Sequence, residues 1–360
     1  MHNINWGVLF LQCSTILGAK SISKITAKFS DNLHDLIKLN GHFLKELHFK
    51  NNSIKFFLEY QNKFKPEEIY ELCEKHNIKI INSSSENYPK LLREISSPPP
   101  YLFLQGELFS NKPPLAVVGS RYTTHYGRSQ AKTISAELAH HFHFISGLAF
   151  GIDSITHETA NNASSPNAAI IACGHLTLSG RQKILATKIL QSGGQVISEY
   201  LPMTTPQKHF FPIRNRLIAG IAQGTLIIEA NQKSGSMITA KFALEQNRDL
   251  FALPGPVDSL NSSGTNQLIK QGANLITSAE DIINYYNLGS NQETSPPNLN
   301  EIEMKIIDSI KSGNQNIDQI SSLTTLDTAN LIAILQLLEI KGIIHNSAGH
   351  ITLRRQPFQI

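Results

Sequence analysis

Between residues 115 and 153 the chain repeats one arrangement twice, and this repetition constrains the fold more than any other feature. An apolar run at 115–118 follows two prolines, enters the turn Gly119-Ser120-Arg121, and leads to an amphipathic helical spacing from Ser129 to His141. A second run at 144–146 enters the glycine loop from Gly147 to Gly151, with Asp153 placed to cap the next helix. Short β-branched runs alternating with helices read as buried parallel strands joined by crossovers. Both glycine turns therefore fall on the carboxyl edge of one sheet, where free backbone N–H groups and helix N-termini collect phosphates. Arg121 adds a permanent cation to the first turn. The structural alternative for Arg121 is an ion pair with a neighbouring carboxylate such as Asp153.

The same rhythm continues downstream. Strands are expected at 115–118, 144–146, 168–172, 195–198, 225–229, 249–253 and 274–276, with helices between them, which predicts an α/β fold with a doubly wound parallel sheet. Further strands are expected at 78–81 and 101–105, around a turn at Tyr88-Pro89, a helix at 91–95 and a rigid Pro98-Pro99-Pro100 bend. This segment has no cluster of titratable groups and is expected to pack rather than react. Ahead of it, short helices are expected at 6–13, 21–28, 33–39 and 67–74. The TILGA turn at 15–19 resembles a helix-hairpin-helix module without its second glycine, which favours a structural role, and Lys20, Lys24 and Lys28 form a basic stripe. After 285, Gly289, Ser290 and Pro296-Pro297 read as a linker. Three helices (301–311, near 318, and 327–341) and a hairpin (343–344 with 351–353) then follow the order of a winged helix. The resulting division is a helical domain of SAM or helix-hairpin-helix type at 1–75, a sheet domain at 76–287, a linker at 288–299 and a winged-helix domain at 300–360.

Composition narrows the partners. A net charge of +4 on 360 residues is compatible with an anionic partner. The last seventy residues instead carry 5 basic against 7 acidic side chains. Only Lys341 ends the helix that would read duplex DNA, so protein contact or a vestigial role is expected there. Cys13, Cys73 and Cys173 lack metal-ligand spacing and point to structural thiols in a reducing compartment. The apolar run at 8–11 is too short to span a membrane, so a soluble cytoplasmic protein is expected.

Two later stretches add chemistry to the same sheet edge. HFFPIRNRLIAGI, from His209 to Ile221, brings Phe210, Phe211, Arg214, Asn215 and Arg216 to the start of a helix that Pro212 opens. Rings beside guanidinium groups suit base stacking with phosphate neutralisation. The alternative is that both rings are core and that one arginine pairs with a buried acid such as Glu229. In LIIEANQKSGSMITAKFALE a strand ends at Glu229, and Ser234-Gly235-Ser236 opens a helix as a third anion-binding turn, its hydroxyls and N–H groups facing outward. Gly264-Thr265-Asn266 is a weaker fourth candidate. Fourteen histidines are scattered and form no triad or metal cluster by spacing.

VVGSR, ISGLAFGID, SEY, FPIRNRLIAG, IIEA, SGSMITA, LPGPV and GTN stand in the order and spacing of the DprA/Smf family, which the chain resembles strongly over 85–285. The resemblance implies an extended Rossmann-like domain that binds single-stranded DNA, forms a homodimer and loads the RecA recombinase during natural transformation. It implies no catalysis, no cofactor and no metal. Carried over residue by residue, the DNA-binding positions are Gly119, Ser120 and Arg121; Ser146, Gly147 and Gly151; Phe211, Arg214, Asn215 and Arg216; and Ser234, Gly235, Ser236 and Lys241. Two departures stand out. Phe150 replaces the family's usual arginine, so a stacking contact takes the place of a phosphate contact. GHLTLSGRQK, from Gly174 to Lys183, lacks the family's Tyr-Pro loop but keeps Arg181 and Lys183. The main alternative is a phosphoribohydrolase of the lysine-decarboxylase-like (LOG) type on a similar sheet, but its P-G-G-x-G-T-x-x-E spacing is broken here. A dinucleotide oxidoreductase is disfavoured, because the first turn lacks G-x-G-x-x-G and no acid ends the second strand at Ser146.

Overall fold

The computed structural model describes residues 4–14, 22, 25–26, 33–46, 50–107, 111–288, 301–311, 316–324, 327–340, 344–347 and 350–353. The chain divides into two compact units, 1–282 and 283–360. In the first unit one sheet contains β1 (Ile78–Asn82), β2 (Tyr101–Gly106), β3 (Pro114–Val118), β4 (His143–Ser146), β5 (Asn167–Ile170), β6 (Gln195–Ser198), β7 (Gly224–Ile227), β8 (Asp249–Ala252) and β9 (Asn274–Leu275). Their spatial order is β1-β2-β6-β5-β4-β3-β7-β8-β9. The strands from β3 onward pair in parallel, as their spacing predicts. The two earlier strands depart from a purely parallel sheet: β2 pairs antiparallel with β6, and β1 pairs antiparallel with β2 at the edge. They follow one another through a short helix rather than a full crossover, so they meet as antiparallel neighbours.

Alternation of side chains assigns the layers. Ala168 and Ile170 of β5 pack with Leu217 and Ala219 of the helix Phe210–Ile221 and with Ala240 and Ala243 of the helix Gly235–Glu245. Ala169 and Ile171 point the other way, onto Leu185 and Ile189 of the helix Gly180–Gln191. Strand β2 is buried on both sides for the same reason. Leu102 and Leu104 join the main core, while Tyr101 and Phe103 close a second core built from Leu9, Phe10, Phe57 and Phe64 of the N-terminal helices. Residues before 76 thus share their core with the sheet edge. Gln12 reinforces the join by donating to the carbonyls of Tyr101 and Glu199.

Of the expected N-terminal helices, Trp6–Cys13 and Pro66–Lys75 form, and Leu33–Lys38 is 3-10. The helix Asn51–Lys63 was not predicted; its mean hydropathy is low, and Ile54 and Phe57 are the residues it buries. The 15–19 turn, the basic stripe and most of the 21–28 segment lie outside the described residues, as does nearly all of the 288–299 linker. The second unit has helices Glu301–Lys311, Ile317–Thr324 and Thr328–Ile340 and an antiparallel pair, Ile344–Ser347 with His350–Leu353. Ile306, Ile310, Leu331, Leu335, Ile344 and Ile351 form its core. The three cysteines are buried, and burial pushes their thiols up, out of the range of reactive thiolates.

Burial also makes the fold acid-sensitive. His143, His157 and His175 are fully enclosed, and burial pushes each imidazole down to about 4. In the unfolded chain they titrate near ~6.5. Between those values the unfolded state binds more protons, so stability falls as pH falls, by about 1.4 kcal/mol per pH unit for each group. The carboxyls of Asp153 and Glu199 are raised by burial and act in the opposite sense, taking protons in the folded state first. Three histidines stand against two carboxyls, which sets the expected direction. The urea midpoint is therefore expected to drop between pH 6.5 and 4.5, and His157→Gln should flatten that slope. A slope unchanged in the variant would assign the acid loss to other groups.

Candidate nucleic-acid interface

Strand β3 lies between β4 and β7, and the helices that follow β3 and β7 leave toward opposite faces. This is a topological switch point, which opens a crevice at the carboxyl ends of the strands. The crevice measures about 690 Å³ and is lined by the β3 turn (Gly119, Ser120, Arg121, Tyr122), the start of the helix Phe210–Ile221 and residues 231–236 after β7. Arg121, Lys208 and Lys233 stand exposed on its rim, and none has an ion pair among the described residues. The Arg121 guanidinium lies 5.7 Å from the centroid of the Phe211 ring. The two aromatic neighbours divide their roles: Phe210 is core, stacked on Tyr200 at 4.2 Å, whereas Phe211 is half-buried and lines the crevice.

Beneath the rim, several carried-over positions are occupied by internal bonds. Arg214 is only 4 % exposed and donates to the carbonyls of Gly147 and Ile170 and, through Nε, to Asn215. Asp153 faces it across Gly147, where a Cβ would lie 2.7 Å from the guanidinium and 2.8 Å from the carboxylate. Burial pushes Arg214 down to about 10, still cationic at neutral pH, with Asp153 as its counter-charge. Burial pushes Asp153 up, against the pull of Arg214 and of the Gly147 and Ala149 N–H groups. Asp153 therefore does not cap the next helix; it accepts from Gly147 at 3.1 Å and Ala149 at 3.3 Å and shapes the loop before it. The helix N-cap is Gly151, at φ 81°, where any side chain would collide with the Ser120 carbonyl. Ser146 is buried and donates to Val117. Ser120 spends its N–H on the Glu229 carbonyl and its hydroxyl on Tyr122. The second glycine loop thus holds the first turn in place, and its N–H at Gly147 does not face outward.

The arginine partner expected at Glu229 is elsewhere. Arg216 pairs with Glu199 of the SEY segment, and the pair is nearly enclosed. Glu229 instead accepts from the backbone and hydroxyl of Thr124, at 3.0 and 2.6 Å, and thereby ties the end of β7 to the helix that follows β3. Asn215 donates to the Gly235 carbonyl, joining two walls of the crevice. Ser234 caps its helix by accepting from Ser236 N–H, and the two hydroxyls contact each other, so they do not both face outward. Around Gly235 the space is open. Lys241 lies outside the crevice on the exposed side of that helix, 3.6 Å from Glu245. Gly264 and Thr265 are buried, with the Gly264 N–H bonded to Ala230. Sequence reasoning missed Lys208, Lys233, Tyr122 and Asn261. The two lysines immediately flank motifs that it did single out, and that adjacency was the available signal.

A switch-point crevice on a largely parallel sheet, rimmed by exposed cations and one aromatic wall, defines a doubly wound α/β protein with a positively charged crevice. The chain belongs to the DNA recombination-mediator protein A family, whose model matches residues 79–287. Protein Smf of Escherichia coli is 40% identical over 223 residues, covering 61% of this chain and 60% of that protein, so the match spans less than two thirds of the relative. Protein Smf of Synechocystis is 30% identical over 343 residues, covering 84% of this chain and 86% of that protein. Among solved structures, DNA processing protein A from Streptococcus pneumoniae superposes with a TM-score of 0.65 at 29% identity, over 78% of this chain and 97% of that one. The Helicobacter pylori DNA processing protein A, described for its single-stranded DNA binding mode, gives 0.51 at 28% identity, over 58% of this chain and 99% of that one. Among the described residues no helix is long and apolar enough to cross a membrane, and no side-chain group could hold a metal ion.

Proposed function

We propose that this protein binds single-stranded DNA in the switch-point crevice, without catalysis, and that it protects incoming DNA and delivers it to the RecA recombinase during natural transformation. The observation that carries the reading is the rim of Arg121, Lys208 and Lys233 around Phe211, cations without internal partners beside a ring. Phosphate is the anion that such a rim and the open N-terminus at Gly235 would accept, and Phe211 would stack a base. Arg121 and Phe211 are the direct contacts, Gly235 leaves open space for the backbone, and Gly119 makes room for Ile152 and the Glu229 carbonyl. Ser146, Gly147, Gly151, Arg214, Asn215 and Arg216 hold the walls. Family membership supports the recombinase partner and a homodimer through the sheet unit. The three-part division, with a helical N-terminal module and a C-terminal winged helix, belongs to the same proposal.

None of the rim groups reads a base edge, so binding should show little sequence preference and should favour single strands over duplex. Affinity should fall as salt rises, because displaced counterions drive phosphate binding. A fluorescence-anisotropy titration with labelled oligothymidylate and duplex, at several salt concentrations, tests this. A flat salt response or a preference for duplex would refute it. Hydrolysis of nucleoside monophosphates by the same preparation would favour the phosphoribohydrolase reading instead.

A further inference from the structure

A second cleft of about 650 Å³ opens on the other side of the β3 turn and shares Arg121, Tyr122 and Asn261 with the first. One wall is the helix Gly180–Gln191, in which Arg181, Ile184, Leu185 and Lys188 follow one another at one-turn spacing and all line the cleft. The opposite wall carries Arg128, from the helix His125–Leu138. Arg128, Arg181 and Lys188 are exposed and have no ion pair among the described residues. Glu158 is the one acidic side chain in the lining. Between the walls stand two bare rings, Tyr122 at 88 % exposure and Phe150 at 54 %.

The rings stand in solvent beside cations, and the walls around them are held rather than loose. Gln182 donates to the Leu148 carbonyl, which anchors the cationic helix to the second glycine loop. Asn261 donates to the Tyr122 carbonyl, fixing the strip where the two clefts meet. The chemistry matches a phosphodiester strand: cations at intervals for phosphates, flat rings for bases, and no donor pattern for a particular base.

We infer that the second cleft takes the continuation of the strand bound in the first, with phosphates on Arg128, Arg181 and Lys188 and bases against Tyr122 and Phe150. The strand passes over Arg121, which lines both clefts. The helix Gly180–Gln191 thus supplies cations on the far side of Phe150. This inference rests on the single-strand reading above and extends it.

The test compares oligothymidylates of about 5 and about 15 nucleotides, lengths near the two ends of the span such grooves cover. Wild-type protein should bind the longer strand roughly tenfold or more tightly, with a steeper salt slope. The double variant Arg181→Ala/Lys188→Ala should lose that gain and keep its short-strand affinity and its melting temperature. Glu158→Gln should tighten the longer strand alone, a gain that no loss of structure could produce. Arg121→Ala should weaken both lengths. If the double variant and the wild type bind the longer strand equally, the continuation is overturned while the crevice stands. If neither length binds the wild type, the crevice reading fails, and the continuation with it.

Discussion

Replacing Arg121 with alanine should weaken single-strand binding by about 1.5–3 kcal/mol, the range for a hydrogen bond to a charged group. That is roughly a ten- to 150-fold loss in affinity. The melting temperature should stay where it was. Arg121 is exposed, has no ion pair among the described residues, and holds its guanidinium 5.7 Å from the centroid of the Phe211 ring. Asp153, the carboxylate that could have tied it down, is buried with Arg214 and the Gly147 and Ala149 N–H groups. Arg121→Lys should recover only part of the loss, because an ammonium cannot make the bidentate contact to phosphate and stacks less well on Phe211. A variant that melts early and binds normally once folded would move Arg121 to a structural role and the DNA site elsewhere.

Arg214→Ala should do the reverse. The guanidinium satisfies the carbonyls of Gly147 and Ile170 and balances Asp153 in an enclosed space. Removing it leaves an uncompensated buried carboxylate, which costs about 3–5 kcal/mol of stability. Urea unfolding should register that loss, and binding at a temperature where the variant is folded should suffer far less than in Arg121→Ala. Adding Asp153→Asn to the variant should restore part of the stability, since the stranded charge is the main penalty. An Arg214→Ala protein as stable as the wild type but unable to bind DNA would show that Arg214 is a ligand residue and not the post that holds the second glycine loop.

The two variants separate residues that look alike in the sequence. Arg121, Arg214 and Arg216 all stand in glycine- or proline-marked motifs near a helix start, and their residue type and spacing suit phosphate equally well. What distinguishes them is depth. Arg216 lies against Glu199 and Arg214 against backbone carbonyls, while Arg121 faces solvent. Phe210 and Phe211 are adjacent in sequence, yet one fills the core and the other lines the crevice. Lys208 and Lys233 lie twenty-five positions apart in the numbering and meet on one rim because the helix Phe210–Ile221 leaves this sheet edge and β7 returns to it.

By itself the sequence determined the parallel strands from β3 to β9, the glycine turns at their carboxyl ends, and the family. Those features depend on local rules: period-two burial, helix-length crossovers, and glycine where backbones crowd. The tertiary structure alone decided that β1 and β2 join the sheet through antiparallel pairings, that their outer face shares a core with the N-terminal helices, and which cations remain free. Pairing between distant residues is set by how burial is satisfied across the whole sheet. A charge with an internal partner and a charge awaiting a ligand have the same sequence, and only the geometry around them tells one from the other.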